Sequence, residues 1–341
     1  MVVFTRSLSF RRREKVKKVL ITGIYGFVGF YLSRYLLDQD IEIVGFDAPG
    51  IFSEEFHFRF KNEIEKGQLT VLKCDLNDVS SLNLLFHNHS FDSICHLAGT
   101  AFVPDSWRDP AGVLKNNTLN TVHFLQVARD NDWIGRFLYI SSSDVYGSPP
   151  KSALPITETT PVSPESPYAS SKYAAEEFAL YFNNEKIKVI VARPFNHIGP
   201  GQKSSFVVPS FLKRILSAER EGKKSIAVGD LSSGRDFTDV RDVVKSYKIL
   251  MENGIPGEIY NVCSGKMVTI QEILDVAIDI SGAKISFMQD SSLLRPGGVN
   301  FRYGSAEKLE KLGWKRNFTL KESMIDIYKS MLQEIENEKR C

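Results

Sequence analysis

The stretch Val19-Leu20-Ile21-Thr22-Gly23-Ile24-Tyr25-Gly26-Phe27-Val28-Gly29-Phe30 decides the fold. Residues with a buried-strand pattern run straight into three spaced glycines, and a helical pattern, Tyr31 to Leu37, follows. Strand, glycine turn and helix in that order are what a dinucleotide pyrophosphate needs. Glycine lets the backbone turn tightly and come close to the phosphates, and the free N–H groups at a helix start attract their charge. The spacing is G-x-x-G-x-x-G, not the commoner G-x-G-x-x-G. Alone, the three glycines also fit a tight turn with close helix–strand packing, so the rest of the chain has to supply the other parts of a nucleotide site.

Outward from that turn, Ile41 to Asp47 reads as a second strand ending in an acid, 24 residues beyond Gly23. A carboxylate there accepts hydrogen bonds from the adenosine ribose and repels a 2′-phosphate. No Arg or Lys follows until Arg59, so NAD is the expected cofactor and NADP the alternative. Leu69 to Asp75 reads as a third strand, with Asp75 and Leu76 beside an adenine pocket. Phe91 to Gly99 reads as a fourth, and its end, Leu97-Ala98-Gly99, is small enough for a cofactor to approach the backbone. Helical periodicity over 111–130, a fifth strand over 136–141, a helix over 167–183 and a strand over 188–193 complete an alternating series. Short apolar strands alternating with helices predict an α/β fold with a doubly wound parallel (Rossmann) sheet.

Beyond Arg193 the pattern is broken by Pro194, Gly199, Pro200, Gly201 and Pro209, and the elements shorten. Helices are expected near 211–221, 270–281 and 320–336, with a return strand over 258–262. The expected organisation is a basic, disordered extension at 1–17, a Rossmann domain at 18–195 with return segments near 237–262, and a smaller C-terminal α/β substrate domain, mainly 196–341.

With 341 residues, 43% hydrophobic and 25% charged, the chain has an ordinary globular composition. A net charge of +2 gives no argument for nucleic acid or a membrane surface. The basic leader, Arg6 to Lys18 with Glu14 as its one acid, resembles a transit peptide or a disordered extension, and it lacks the aromatic interleaving of a nucleic-acid segment. No apolar run reaches bilayer length. Cys74, Cys95, Cys263 and Cys341 have no metal or redox spacing; Cys74 and Cys95 read as small core residues in a reducing compartment. A soluble cytoplasmic protein without a metal is expected, with His96, His123 and His197 structural.

Tyr168 and Lys172 stand four apart in Pro167-Tyr-Ala-Ser-Ser-Lys172, so on a helix they share one face. A phenol titrates near about 10, too high for a neutral-pH base. An ammonium one turn away favours the phenolate and is expected to bring Tyr168 toward a working range. Ser141-Ser-Ser-Asp144 follows the fifth strand, at the carboxyl end where parallel strands line a cleft, and offers a hydroxyl partner. Glu176 and Glu177 read as a solvated helix face.

In this order, GIYGFVG, HLAG, SSSDVYG and YASSK resemble the extended short-chain dehydrogenase/reductases, the branch acting on nucleotide sugars, over about residues 18–329. Arg193-Pro-Phe-Asn-His-Ile-Gly-Pro-Gly-Gln202, Gly234-Arg-Asp-Phe-Thr-Asp-Val-Arg-Asp242 and Leu294-Arg-Pro296 are similar to GDP-4-keto-6-deoxy-D-mannose reductases and GDP-mannose 4,6-dehydratases. The resemblance implies Tyr168 as acid/base, Lys172 as its electrostatic partner and ribose ligand, Ser142 as the catalytic hydroxyl and Asp144 at a position where dehydratases use an acid. It implies cofactor contacts at Gly23, Tyr25, Gly26, Phe27, Val28, Gly29, Asn117 and Pro194. On the sugar-nucleotide side it implies Ser106, Asn196, Val207, Arg235 and Arg295, and guanidinium forks suit diphosphate oxygens.

Two departures stand out: Asn120 replaces the family's usual Gly, and Asp144 is shorter than the Glu of many dehydratases. The expected activity is NAD(P)H-dependent reduction of the 4-keto group of a GDP-6-deoxyhexose. A 4,6-dehydratase or 4-epimerase with tightly held NAD is the rival, and a non-catalytic nucleotide-binding protein the remaining one. The helices over 111–130 and 167–183 resemble those that pair subunits in this family, so a homodimer is expected.

Overall fold

The computed structural model describes residues 15–293 and 301–338. The opening stretch forms β1 (Lys18–Thr22), the glycine turn and the helix Phe27–Leu37. Next come β2 (Glu42–Asp47), β3 (Leu69–Lys73), β4 (Ser93–His96), β5 (Gly135–Ile140) and β6 (Ile187–Pro194). Beyond them lie β7 (Asn196–Ile198), β8 (Ser225–Val228), β9 (Gly234–Asp239) and β10 (Ile259–Val262). Among the described residues β10, β6, β5, β4, β1, β2 and β3, in that order, make one seven-stranded parallel sheet. The order reverses at β1, whose neighbours are β2 and β4, and a ligand crevice forms at the carboxyl ends on either side of such a switch point.

Both faces of the sheet are covered, which is why its strands are apolar throughout rather than alternating with polar residues. Val19 and Ile21 pack on one face with Leu32 and Leu36 of the glycine helix and with Val243 and Leu250 of the helix Val240–Asn253. Leu20, one residue out of phase, packs on the other face with Phe124, Leu125, Ala175 and Ala179.

The second layer is built on β9, flanked by β7, β11 (Met267–Thr269) and β13 (Phe301–Arg302), while β12 (Ser286–Gln289) pairs with β8. Its own core joins Leu212, Ile215, Ile273, Leu274, Met324 and Ile327 from three helices. The chain leaves this layer at Asp239, whose carboxylate caps the helix Val240–Asn253 by accepting from Arg241 N–H at 2.8 Å. The return to the large sheet therefore starts at Val240; residues 237–239, expected in the return, belong to the smaller sheet.

Two more expectations are corrected here. The basic extension was drawn to residue 17, but Val16 is buried in the core and the Lys17 and Lys18 amides donate to Asp92; residues 1–14 lie outside the described residues. The helix expected over 111–130 is Pro110–Leu114, a π-helical turn Lys115–Leu119, then Asn120–Asp130. The wide turn immediately precedes Asn120, which is 5% exposed and whose Oδ1 has no hydrogen-bond partner among the described residues.

Candidate active site

The glycines divide the work of the opening turn. Gly23 has φ +73°, and a Cβ there would lie 3.0 Å from the Ala98 backbone. Gly29 is closed off more tightly: a Cβ would sit 2.5 Å from the Ile24 carbonyl oxygen and 2.6 Å from that of Gly23. Gly26 caps the helix without a side chain, leaving the first N–H groups open to a ligand.

In front of this turn lies a cleft of about 1190 Å³, lined by Gly23, Tyr25, Gly26 and Phe27 from the turn and by Asp47 at the end of β2. Asp75, Leu76, Leu97, Ala98 and Gly99 close it from the ends of β3 and β4. Val28 and Gly29 are not among its lining residues.

Asp47 is positioned by backbone: its carboxylate accepts from Ala48 N–H at 2.9 Å and Tyr25 N–H at 3.3 Å. Burial pushes its carboxyl up and those two bonds oppose the rise. Asp75 is held below its usual range by the Asn77 amides. A backbone cradle that side chains would fill, an open helix start and an acid at the ribose position fit a nicotinamide dinucleotide.

Ser142 caps the short turn Ser143–Tyr146, its Oγ accepting from Asp144 N–H at 3.1 Å, and it also hydrogen-bonds Tyr168. Ser166 caps the helix Pro167–Tyr181 that carries Tyr168 and Lys172, and Pro167 fits the first helical position. The expectation that Lys172 brings the Tyr168 phenol down is not met. Burial drives the phenol well above its ordinary value, Asp144 adds to the rise, and only the Ser142 hydrogen bond opposes it. Lys172 itself is pushed down to about 8 by burial, with Glu176 resisting.

Asn117 is locked in place: Oδ1 accepts from Thr100 N–H at 2.7 Å and Nδ2 donates to Ser171 Oγ at 2.9 Å. It fixes the loop after β4 to the helix Pro167–Tyr181, and a Cβ on Gly99 would meet its oxygen at 2.7 Å. Pro194 ends β6 opposite Val262.

Glu176 is not solvated. It is fully buried and grips Arg193 through two contacts, Nε to Oε2 at 3.1 Å and Nη2 to Oε1. Positions 168, 172 and 176 continue one helix face inward, and that i, i+4, i+8 spacing was the signal in the sequence for its burial.

On the sugar side, Asn196 is exposed on β7 and Arg235 is half-buried on β9. Val207 opens the helix Val207–Arg220 and is partly buried against the second core. Ser106 is a correction: it is fully buried and its hydroxyl donates to the Val103 carbonyl at 2.6 Å, so it offers no substrate contact here. Arg295 lies outside the described residues.

Two residues of this side went unnoticed in the sequence. Asp236 is buried and accepts backbone N–H groups of Ser264, Gly265 and Gly304, tying β9 to the loops beside it. Arg302 reaches across 158 positions to Asp144, Nη1 to Oδ1 at 2.7 Å; no local pattern announces such a pair.

These features, a switch-point cleft, a glycine cradle and a Ser–Tyr–Lys group, define a nucleotide-dependent oxidoreductase fold and site. The profile of the family described as GDP-mannose 4,6 dehydratase matches residues 20–327. The chain is 37% identical over 311 residues to GDP-6-deoxy-D-mannose reductase of Pseudomonas aeruginosa, covering 90% of this chain and 95% of that one. The solved structure of RMD from Pseudomonas aeruginosa complexed with NADPH superposes with a TM-score of 0.79 at 36% identity, covering 93% of this chain and 99% of that one. UDP-N-acetylglucosamine 4-epimerase from Methanobrevibacter ruminantium superposes at 0.82 with 27% identity, covering 94% and 99%. The chain belongs to the GDP-mannose dehydratase-like, NAD-dependent epimerase/dehydratase family of extended short-chain dehydrogenase/reductases, NAD(P)-dependent enzymes of nucleotide sugars. Among the described residues no helix is long and apolar enough to cross a membrane.

Proposed function

We propose that this protein reduces the 4-keto group of a GDP-linked 6-deoxyhexose. The observation that carries the reading is the state of Tyr168. Its phenol is buried beside a carboxylate, held to Ser142, and keeps its proton at neutral pH. A group in that state is ready to give a proton, which is what carbonyl reduction asks of it.

Gly23 and Gly26 would hold the cofactor pyrophosphate on a turn that Gly29 lets close, Asp47 the adenosine ribose, and Asn117, Lys172 and Pro194 would surround its reactive end. A bound nicotinamide supplies the hydride. Tyr168 donates its proton to the C4 oxygen while the Ser142 hydroxyl holds that oxygen, so the ketone becomes an alcohol. The Lys172 ammonium, one turn along the helix, stabilises the phenolate left behind until solvent restores the proton. Arg235, Asn196 and Arg295 would bind the diphosphate and sugar. The similarity to the Pseudomonas reductase supports a GDP-linked substrate.

Purified protein given GDP-4-keto-6-deoxymannose should consume reduced cofactor mole for mole, read at the nicotinamide absorbance band. A protein that oxidises neither NADH nor NADPH in that assay overturns the reading, and turnover of a nucleotide sugar without net cofactor consumption would establish a dehydratase or epimerase instead.

A homodimer accompanies this reading. Leu114, Leu119, Phe178 and Tyr181 are exposed on the packed helices that follow β4 and carry Tyr168. A monomer mass by light scattering overturns it, as would Tyr181→Glu leaving a dimer untouched. The described cysteines, Cys74, Cys95 and Cys263, are buried and unpaired, in keeping with a reducing, cytoplasmic setting.

A further inference from the structure

The pair Asp144–Arg302 is not accounted for by that mechanism. Asp144 sits two residues after Ser142, in the turn that holds the catalytic hydroxyl, and its charge bears on Tyr168. Arg302 comes from β13, where it is the register partner of Arg235 on parallel β9. Neighbouring residues on parallel strands project from the same sheet face, so Arg302 and Arg235 stand side by side. The succession of neighbours Ser142, Asp144, Arg302 and Arg235 therefore links the group assigned to the reacting oxygen with a group suited to diphosphate. Both members of the ion pair are partly buried, with side chains 18% and 24% exposed, so water screens it less than an exposed pair.

Resting on the reductase reading, we propose that Arg302 is a positioning residue of the sugar site: it holds Asp144 as a neutralised acceptor, which keeps the Tyr168 proton transferable and withdraws Asp144 from acid catalysis. An acid that expels a hydroxyl must carry a proton toward the substrate; a carboxylate that accepts a guanidinium N–H is turned to the opposite use. Without Arg302, the unpaired charge of Asp144, which already raises the phenol, would hold its proton more tightly still. The other groups facing Tyr168 are Lys172 on its own helix, Tyr139 from β5 and Tyr247 from the helix Val240–Asn253, and none of them is changed by altering Arg302.

The test is the pH profile of cofactor oxidation with GDP-4-keto-6-deoxymannose for the wild type, Arg302→Met, Arg302→Lys, Asp144→Asn and the double variant Arg302→Met/Asp144→Asn. Reduction fails at high pH when Tyr168 loses its proton, so the basic limb follows that group. Arg302→Met leaves a bare carboxylate and should move the limb up by roughly half to one pH unit, with Asp144→Asn leaving a bare guanidinium and moving it down by a similar amount. The double variant restores a neutral pair and should return near the wild-type limb, as should Arg302→Lys. A limb unmoved in Arg302→Met, or shifts of the same sign in the two single variants, overturns the proposal even if kcat falls. If the wild type does not turn over this substrate, it is the reductase reading that fails. The pairing is then judged from melting temperatures of the wild type, both single variants and the double, and a double-mutant cycle with no coupling overturns it.

Discussion

The wall of the cleft that fits the cofactor comes from one short stretch, Gly23 to Phe27, backed by Gly29, and from the strand ends at Asp47, Asp75 and Leu97 to Gly99. The wall we propose for the sugar gathers Asp144, Asn196, Arg235 and Arg302 from four segments, two of them joined by an ion pair spanning 158 positions. The first is largely backbone, shaped by where a Cβ does not fit; the second is side-chain charge held in place by other charges. A backbone wall tolerates little in size and much in charge, and a charge wall behaves in the reverse way. The helix Pro167–Tyr181 carries Tyr168, which the proposed reaction shares between the two.

The largest effect is expected at that shared helix. Tyr168→Phe keeps the ring and removes the proton, so kcat for keto-sugar reduction should fall by about 10³-fold, while NADH binding, followed by nicotinamide fluorescence, changes little. Retention of most of the activity would mean that the two walls meet at some other acid.

Next in size is Glu176→Gln, which asks whether the charge buried behind the site is structural. Glu176 and Arg193 are 0% and 3% exposed, and the variant leaves the guanidinium buried without its counter-charge. Removing one partner of such a pair costs about 3–5 kcal/mol, measurable by urea unfolding of cofactor-free protein. A loss under about 1 kcal/mol would show that Arg193 finds another partner, and would class this pair with exposed surface bridges.

How well each wall can be read in the sequence follows from its construction. The glycine turn is local, and Gly23, Gly26 and Gly29 sit where a strand pattern gives way to a helix pattern, so β1, its turn and its helix are legible at once. The return of β10 to the sheet is legible as an apolar run, but its junction is not, because Asp239 ends one element and caps the next. Glu176 misleads because a carboxylate on a helix is ordinarily solvated; its spacing from Tyr168 and Lys172 points it inward, and its partner seventeen positions on supplies the counter-charge that burial requires. Arg302 is silent: nothing near position 302 indicates that it meets Asp144, since long-range ion pairs leave no periodicity. Lys172 misleads in a similar way, because a sequence shows an ammonium one turn from Tyr168 but not the burial that outweighs it.

A smaller effect tests the backbone wall directly. Gly29→Ala puts a methyl group 2.5 Å from the Ile24 carbonyl oxygen, too close to persist without backbone movement. Overpacking of this kind costs about 1–3 kcal/mol, and the turn must shift away from the pyrophosphate. NADH affinity should drop several-fold while nucleotide-sugar binding to the cofactor-free protein stays the same. Equal losses for both ligands would mean that the walls are not independent.

The smallest expected effect concerns the charge at the end of β2 in the backbone wall. Asp47 is fixed by two peptide N–H groups, so its carboxylate has no freedom to swing away from a 2′-phosphate. Burial raises its carboxyl, yet both hydrogen bonds favour the ionised form, and ionised Asp47 disfavours a phosphate dianion. The wild type should therefore prefer NADH to NADPH, although a solved relative of similar fold was captured with NADPH. Asp47→Ala should raise the ratio of kcat/KM for NADPH over NADH by about tenfold, or about 1.4 kcal/mol, by lifting repulsion from one cofactor and a ribose contact from the other. A wild type that prefers NADPH would require a cation to offset Asp47. Arg59, which lines the same cleft and pairs with Glu55 at 2.9 Å, is the side chain to examine. Arg59→Ala would then abolish the preference, and the cofactor wall would prove to depend on a charge pair as the sugar wall does.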